Sequence, residues 1–287
     1  MEELETDIIK ALDGTTAAKD AYIYDDLVIS ANTEANDIGI ADTKGIDVSA
    51  GNSLTINGNL TLAGSDSYLQ GNGTVPSAGV VNSASVILKG TYTSGGTNQF
   101  FYFTETYHNN TTGLTDGWSL ISSPTVGEKI DGNTGDGNFT VFNGLQEKDS
   151  QYGIAVYDNT QSDTDLRWDY FSTAEVNVAT ASATIDMASG KGYSVLPSAT
   201  PTADQQKGNL GFKGSIAIID VGSEIKDSSP ANGGVGNAFN AIGNPYPTFL
   251  PFNTTADATD NLLTVNTGVL DEETLWIWDK ATTSYLT

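Results

Sequence analysis

The chain contains no cysteine, one histidine and two methionines, and its 12 basic residues are outnumbered by 36 acidic ones. Without cysteine there is neither a disulfide framework nor a thiolate site, which an extracellular protein tolerates when a large β body is stable without staples. The lone histidine, His108, sits in the polar stretch Tyr107-His108-Asn109-Asn110, so any Ser-His-Asp arrangement would depend on that one residue. No other spacing singles out a catalytic group, and a non-enzymatic protein is expected. No run of about 18 apolar residues occurs, and Met1-Glu2-Glu3-Leu4-Glu5-Thr6-Asp7 offers neither the basic nor the apolar region of a signal peptide. The formal charge of −24 repels phosphate backbones and anionic lipid surfaces, which argues against nucleic acid and membrane insertion as partners.

What is abundant points to strands. The 31 glycines, the many Thr, Ser and Asn, and a charged fraction of only 17% describe short strands joined by tight turns, an all-β class. Residues 1–20 form a leader in which Leu4, Ile8, Ile9 and Leu12 have helical spacing, followed by Gly14: a short helix or a frayed end. Residues 21–96 change to period two, with apolar beats at Ile23, Val28, Ile38, Ile40, Ile46, Val48, Leu54, Ile56, Leu60 and Leu62 separated by Asn, Gly and Asp. Asn57-Gly58-Asn59 divides two alternating tripeptides. It could close a hairpin or turn a corner between stacked coils, and the continuing beats favour a β-solenoid-like region over a hairpin meander. Gly90 to Thr97 reads as a boundary. Strands at roughly ten-residue intervals over 97–287 then predict an antiparallel β-sandwich, jelly-roll-like, with two related halves.

The evidence for two halves is an internal repeat. Trp118-Ser119-Leu120-Ile121-Ser122-Ser123-Pro124 and Phe239-Asn240-Ala241-Ile242-Gly243-Asn244-Pro245 align at an offset of 121 residues, and Ile154-Ala155-Val156-Tyr157-Asp158 aligns with Leu275-Trp276-Ile277-Trp278-Asp279 at the same offset. At that offset the counterpart of Gly190-Lys191-Gly192-Tyr193 falls beyond Thr287, so the second half is expected to be incomplete.

Three segments in order, Gly117-Trp118-Ser119-Leu120-Ile121-Ser122-Ser123-Pro124, Gly190-Lys191-Gly192-Tyr193 and Asn240-Ala241-Ile242-Gly243-Asn244-Pro245-Tyr246-Pro247, resemble a β-sandwich region of large secreted surface proteins of Bacteroidetes. The Asn57-Gly58-Asn59 region resembles the repetitive stretch that often precedes it. The resemblance implies an extracellular or outer-surface location and export by type IX secretion through a C-terminal sorting domain not present in this chain. It also implies a fragment or processed product. Ala241 departs from the larger apolar residue usual at its position.

Candidate site residues fall into two groups. Acidic loops could hold calcium through alternating oxygen side chains: Asp131, Asn133 and Asp136 in one, Asp158, Asp163 and Asp165 in the other, although the first does not fit the EF-hand pattern. Against this stands the reading of each as a solvated turn. Trp168, Tyr170 and Tyr246 are candidates for stacking on glycans, against a reading in which alternating rings fill the core. Asn244-Pro245-Tyr246-Pro247 reads as structural, since two prolines end strand pairing. The function expected is a surface or adhesin-like segment, a stalk or spacer with an interaction domain, whose partners would be a surface polysaccharide or another surface protein. The alternatives are a carbohydrate-binding part of a secreted polysaccharide-acting protein, and a self-associating filament or sheath subunit completed by strand donation.

Overall fold

The computed structural model describes residues 20–64, 66–74, 82–95, 100–105, 118–130, 145–176, 185–196, 209–252, 261–270, 274–279 and 284–286. The leader and the loop carrying Asp131, Asn133 and Asp136 lie outside the described residues, as does His108. Strands dominate the described chain, as an all-β class requires.

The first strands are three or four residues long: β1 Ala21–Ile23, β2 Leu27–Ile29, β3 Thr33–Ala35, β4 Ile38–Ile40, β5 Gly45–Val48, β6 Ser53–Ile56, β7 Leu60–Leu62 and β8 Tyr68–Gly71. Each pairs in parallel with the strand three places on, so β1-β4-β7, β2-β5-β8 and β3-β6 run in three separate sheets. A small antiparallel hairpin of β9 Gly73–Thr74 and β10 Asn82–Ser83 interrupts the series. Three further strands, β11 Ser85–Leu88, β12 Tyr92–Ser94 and β13 Phe100–Glu105, then cover β6, β7 and β8. Asn57-Gly58-Asn59 is therefore a corner between two sheets and not a hairpin turn.

Period two explains the stacking. Registered neighbours stack inward residues in columns: Ile23, Ile40 and Leu62 in one, Leu27, Ile46 and Leu69 in another, Thr33, Leu54 and Val86 in a third. Most of these side chains are buried in one continuous core. Corners are closed by Asn and Asp, whose side-chain oxygens accept from backbone N–H groups of the next turn of chain: Asp26 from Gly45, Asn32 from Ser53, Asp37 from Asn59 and Asn59 from Thr91. The separation between registered residues grows along the chain, from 17 between Ala21 and Ile38 to 22 between Ile38 and Leu60 and 32 between Leu60 and Tyr92.

The remaining strands are antiparallel. β14 Ser119–Ile121, β15 Lys129–Ile130, β16 Glu147–Lys148, β17 Gln151–Tyr157, β18 Trp168–Ser172, β19 Ile185–Asp186, β20 Tyr193–Val195 and β21 Asn209–Gly214 are followed, far along the chain, by β22 Ile277–Asp279 and β23 Ser284–Leu286. β20 is central, between β14 and β17, and β17 also pairs with β16 and β18. β15 pairs with β19, and β22 with β23. A second core gathers Ile130, Ile154, Tyr193, Val195 and Phe212.

The expected boundary at residues 96 and 97 is crossed by a sheet. β13 is parallel to β8 on one side and antiparallel to β21 on the other. Along β21 and just beyond it, Phe212 enters the second core and Ile216 the first. One strand thus stitches both bodies.

Gly45 lies directly under the Tyr68 ring, where a Cβ would collide with the ring carbons. Gly45→Ala is expected to cost about 1–3 kcal/mol, the range of overpacking. The same substitution in a Tyr68→Ala background is expected to cost less, and urea denaturation of the four variants measures the coupling.

Candidate functional site

The two copies of the repeated motif meet each other. Ser122 donates its hydroxyl to the Asn244 carbonyl at 2.8 Å, and a Cβ on Gly243 would run into the Ser122 Cβ. Positions 122 and 243 are themselves counterparts at the offset of 121, so the contact is between equivalent points of the two copies.

The second copy is a strap and not a strand. Its Ala241–Gly243 backbone pairs antiparallel with Gly190–Gly192, with Gly192 N donating to Ala241 O at 3.0 Å and Gly243 N to Gly190 O at 3.0 Å. Upstream, Asn237 N donates to Asn159 O at 2.9 Å. Downstream, the strap lands on the parallel body: Val86 N donates to Pro247 O at 2.7 Å, and the Ser85 and Thr248 hydroxyls are 2.8 Å apart. Pro245 and Pro247 are buried, and neither brings an N–H that burial would leave unpaired. The intervening Tyr246 N–H is taken by the Asn244 side-chain oxygen at 3.0 Å, while the Asn244 amide donates to Thr248 O. This is the physical reason for Asn-Pro-Tyr-Pro: it crosses a buried surface without needing a ladder.

Between the two copies and the last parallel turn lies a cleft of about 360 Å³. Leu120, Ile121, Ser122 and Pro124 line one wall, Ile242, Gly243 and Asn244 another, and Ser83 to Ser85 with Thr248 and Phe249 close it. Among the described residues no charged side chain lines it. β14, which supplies the first wall, is an edge strand, paired among the described residues by β20 on one side.

The predicted site residues are distributed as follows. Asp158 organises its own turn, accepting from the Thr160 hydroxyl at 2.6 Å, the Gln161 amide at 2.7 Å and Thr160 N at 2.9 Å. Asp163 caps a turn of 3-10 helix at Thr164–Leu166 by accepting from Asp165 N at 3.0 Å. Among the described residues no three acidic or histidine side chains converge into a group that could hold a metal ion. Trp168 packs against Tyr157 at 5.1 Å between ring centroids, and Tyr170 against Trp118 at 5.6 Å, both edge-to-face. Tyr246 lines the cleft and donates its hydroxyl to Ile219 O at 3.2 Å.

Sequence reasoning missed Asn159, which is buried and holds the loop before the strap. Its amide donates to Lys226 O at 2.6 Å and its side-chain oxygen accepts from the Ser228 hydroxyl at 3.2 Å. No local signal marks it, since these partners lie 67 and 69 residues away. The chain matches no protein-family model, no curated protein and no solved structure.

Two outcomes follow from this geometry. Gly243→Ser is expected to destabilise by about 1–3 kcal/mol through overpacking, and the exchange Ser122→Gly with Gly243→Ser to recover most of that loss in thermal or urea unfolding. The Asp158 carboxyl is held below its usual range, first by the Thr160 hydroxyl, then by the Gln161 amide and the Thr160 N–H. Its stabilisation is therefore present above the unfolded value of about 3.9 and lost as pH falls through the lower folded value. The melting-temperature gap between the wild type and Asp158→Asn is expected to be open at pH 7 and to narrow as pH falls below the unfolded value, closing once the folded carboxyl is protonated.

Proposed function

We propose that this chain is a non-enzymatic segment of an extracellular surface protein, a three-sided β-solenoid spacer joined rigidly to a β-sandwich, of the kind exported by type IX secretion in Bacteroidetes. The observation that carries the reading is the single sheet β2-β5-β8-β13-β21, which is parallel through the spacer and antiparallel into the sandwich. A stalk has to transmit force and orientation from one body to the next. A continuous hydrogen-bonded sheet does so without a flexible linker, and the strap from Gly190 to Ser85 closes the junction from the other side. The motifs that resemble the Bacteroidetes region are the ones that build this strap. The strong negative charge supports the same reading, because it keeps an exposed protein dispersed.

Surface labelling of intact source cells with a membrane-impermeant reagent, followed by fractionation, tests the location: labelled protein in the surface fraction is expected, and unlabelled protein confined to the cytosol overturns the proposal. The mechanical part is tested separately. Because the chain has no cysteine, cysteines introduced at Asp25 and Ser284 provide unique handles for single-molecule pulling. Both bodies are expected to yield in one cooperative event, and two well-separated events would show that they unfold independently and overturn the rigid coupling.

A further inference from the structure

The cleft at the junction differs in charge from the rest of the molecule. The chain carries 36 acidic and 12 basic residues, yet among the described residues no charged side chain lines this space. A phosphate, sulfate or carboxylate ligand would find no cation there and would be repelled by the net charge of −24. A cationic ligand drawn in by that charge would find no carboxylate to meet it. The lining therefore selects an uncharged ligand.

Its polar groups keep hydrogen-bonding capacity. The Ser85 and Thr248 hydroxyls, 2.8 Å apart, share one hydrogen, so whichever accepts still has its own to give. Ser122 donates to Asn244 O at 2.8 Å, which leaves the lone pairs of its own oxygen as acceptors. The Asn244 amide gives one N–H to Thr248 O and has a second. Such a mixture of donors and acceptors suits a ligand rich in hydroxyls, each of which both donates and accepts.

The other walls are apolar. Leu120, Ile121 and Ile242 face the same space, and two rings join them. Tyr246 is fixed by its hydroxyl on Ile219 O at 3.2 Å. Phe249 is 81% exposed and so stands at the mouth. An uncharged molecule with hydroxyls on its rim and C–H groups on its faces matches both kinds of wall. The volume of about 360 Å³ lies at the small end of the range of ligand sites, about 300–1,000 Å³, which suits a short saccharide and not a folded partner.

We propose that the cleft between the two motif copies and the last parallel turn binds a neutral saccharide. The C–H face of a sugar ring lies on Phe249 and Leu120, and its hydroxyls engage Ser85, Ser122, Asn244 and Thr248. Because these groups come from both bodies and from the strap, a bound sugar bridges the junction and stiffens it. The proposal rests on the stalk reading only for its setting, a surface where polysaccharide is met.

The test uses the purified full chain and isothermal titration with short neutral gluco-, manno-, galacto- and xylo-oligosaccharides, alongside an oligogalacturonate and a sulfated oligosaccharide. Saturable binding of a neutral sugar is expected, with a rise in melting temperature, and no binding of the charged ones. Phe249→Ala, at a residue exposed enough to be compatible with folding, is expected to weaken the neutral sugar at least about tenfold through lost apolar contact, and Phe249→Trp to retain it. Leu120→Glu places a charge in the cleft at a residue 39% exposed and is expected to abolish binding; if that variant does not fold, the Phe249 pair still decides. Absence of saturable binding of every neutral sugar at millimolar concentration overturns the proposal. So does preference for a charged sugar, or binding that is indifferent to the Phe249 change. Protein confined to the cytosol that still binds the sugar removes the stalk reading and supports the site, while surface-labelled protein that binds none does the reverse.

Discussion

A parallel sheet cannot end on its own strands without leaving a row of unpaired N–H and C=O groups, and the architecture follows from how this chain meets that constraint. Short aliphatic strands stack because each covers the edge of the one before, and one of the three edges at the far end is covered by a strand running the opposite way. β13 makes that reversal possible by accepting β8 as a parallel neighbour and β21 as an antiparallel one. The change of direction is the junction between the bodies. The strap reinforces it at a second edge, where Pro247 O takes the Val86 N–H.

Much of the first body was legible because its logic is local. Alternation identifies Ile38, Ile40, Leu60 and Leu62 as inward residues whatever the topology, and Asn and Asp between beats mark corners because their side chains can accept from a neighbouring turn. These turns share no constant repeat length, because registered residues are separated by 17, then 22, then 32 positions. β17 was legible too, since Ile154-Ala155-Val156-Tyr157 belongs to the repeated pair of motifs. The tight turn before it was not, since Asp149 and Ser150 both adopt positive φ, 53° and 64°, where Asn-Gly would have announced the turn.

The repeated motif was visible as a repeat, and its two copies turned out to have different jobs. Ser119–Ile121 is a strand in a sheet, while Ala241–Gly243 is a strap across it. The difference lies in context and not in the motif: the first copy has β20 beside it along its length, while the second pairs, among the described residues, with Gly190–Gly192 alone. Contacts such as Ser122 with Asn244 or Asn159 with Lys226 and Ser228 span 122 and 67 to 69 residues, and nothing in either neighbourhood encodes a partner so far away. The turn at Asp158 illustrates the converse, since its carboxylate accepts from donors two and three residues along.

The lengthening of successive turns carries a lesson about descent. Each parallel pairing spans three or four residues, while the extra chain accumulates at corners, most of it beside the β9–β10 hairpin. Unequal exchange between neighbouring turns would join corners of unlike length and misplace every inward column downstream. Such a stack resists growing or shrinking by whole units, unlike a tandem array, and its variation is channelled into the corners. There, inserted sequence can diverge while the aliphatic columns remain as they are.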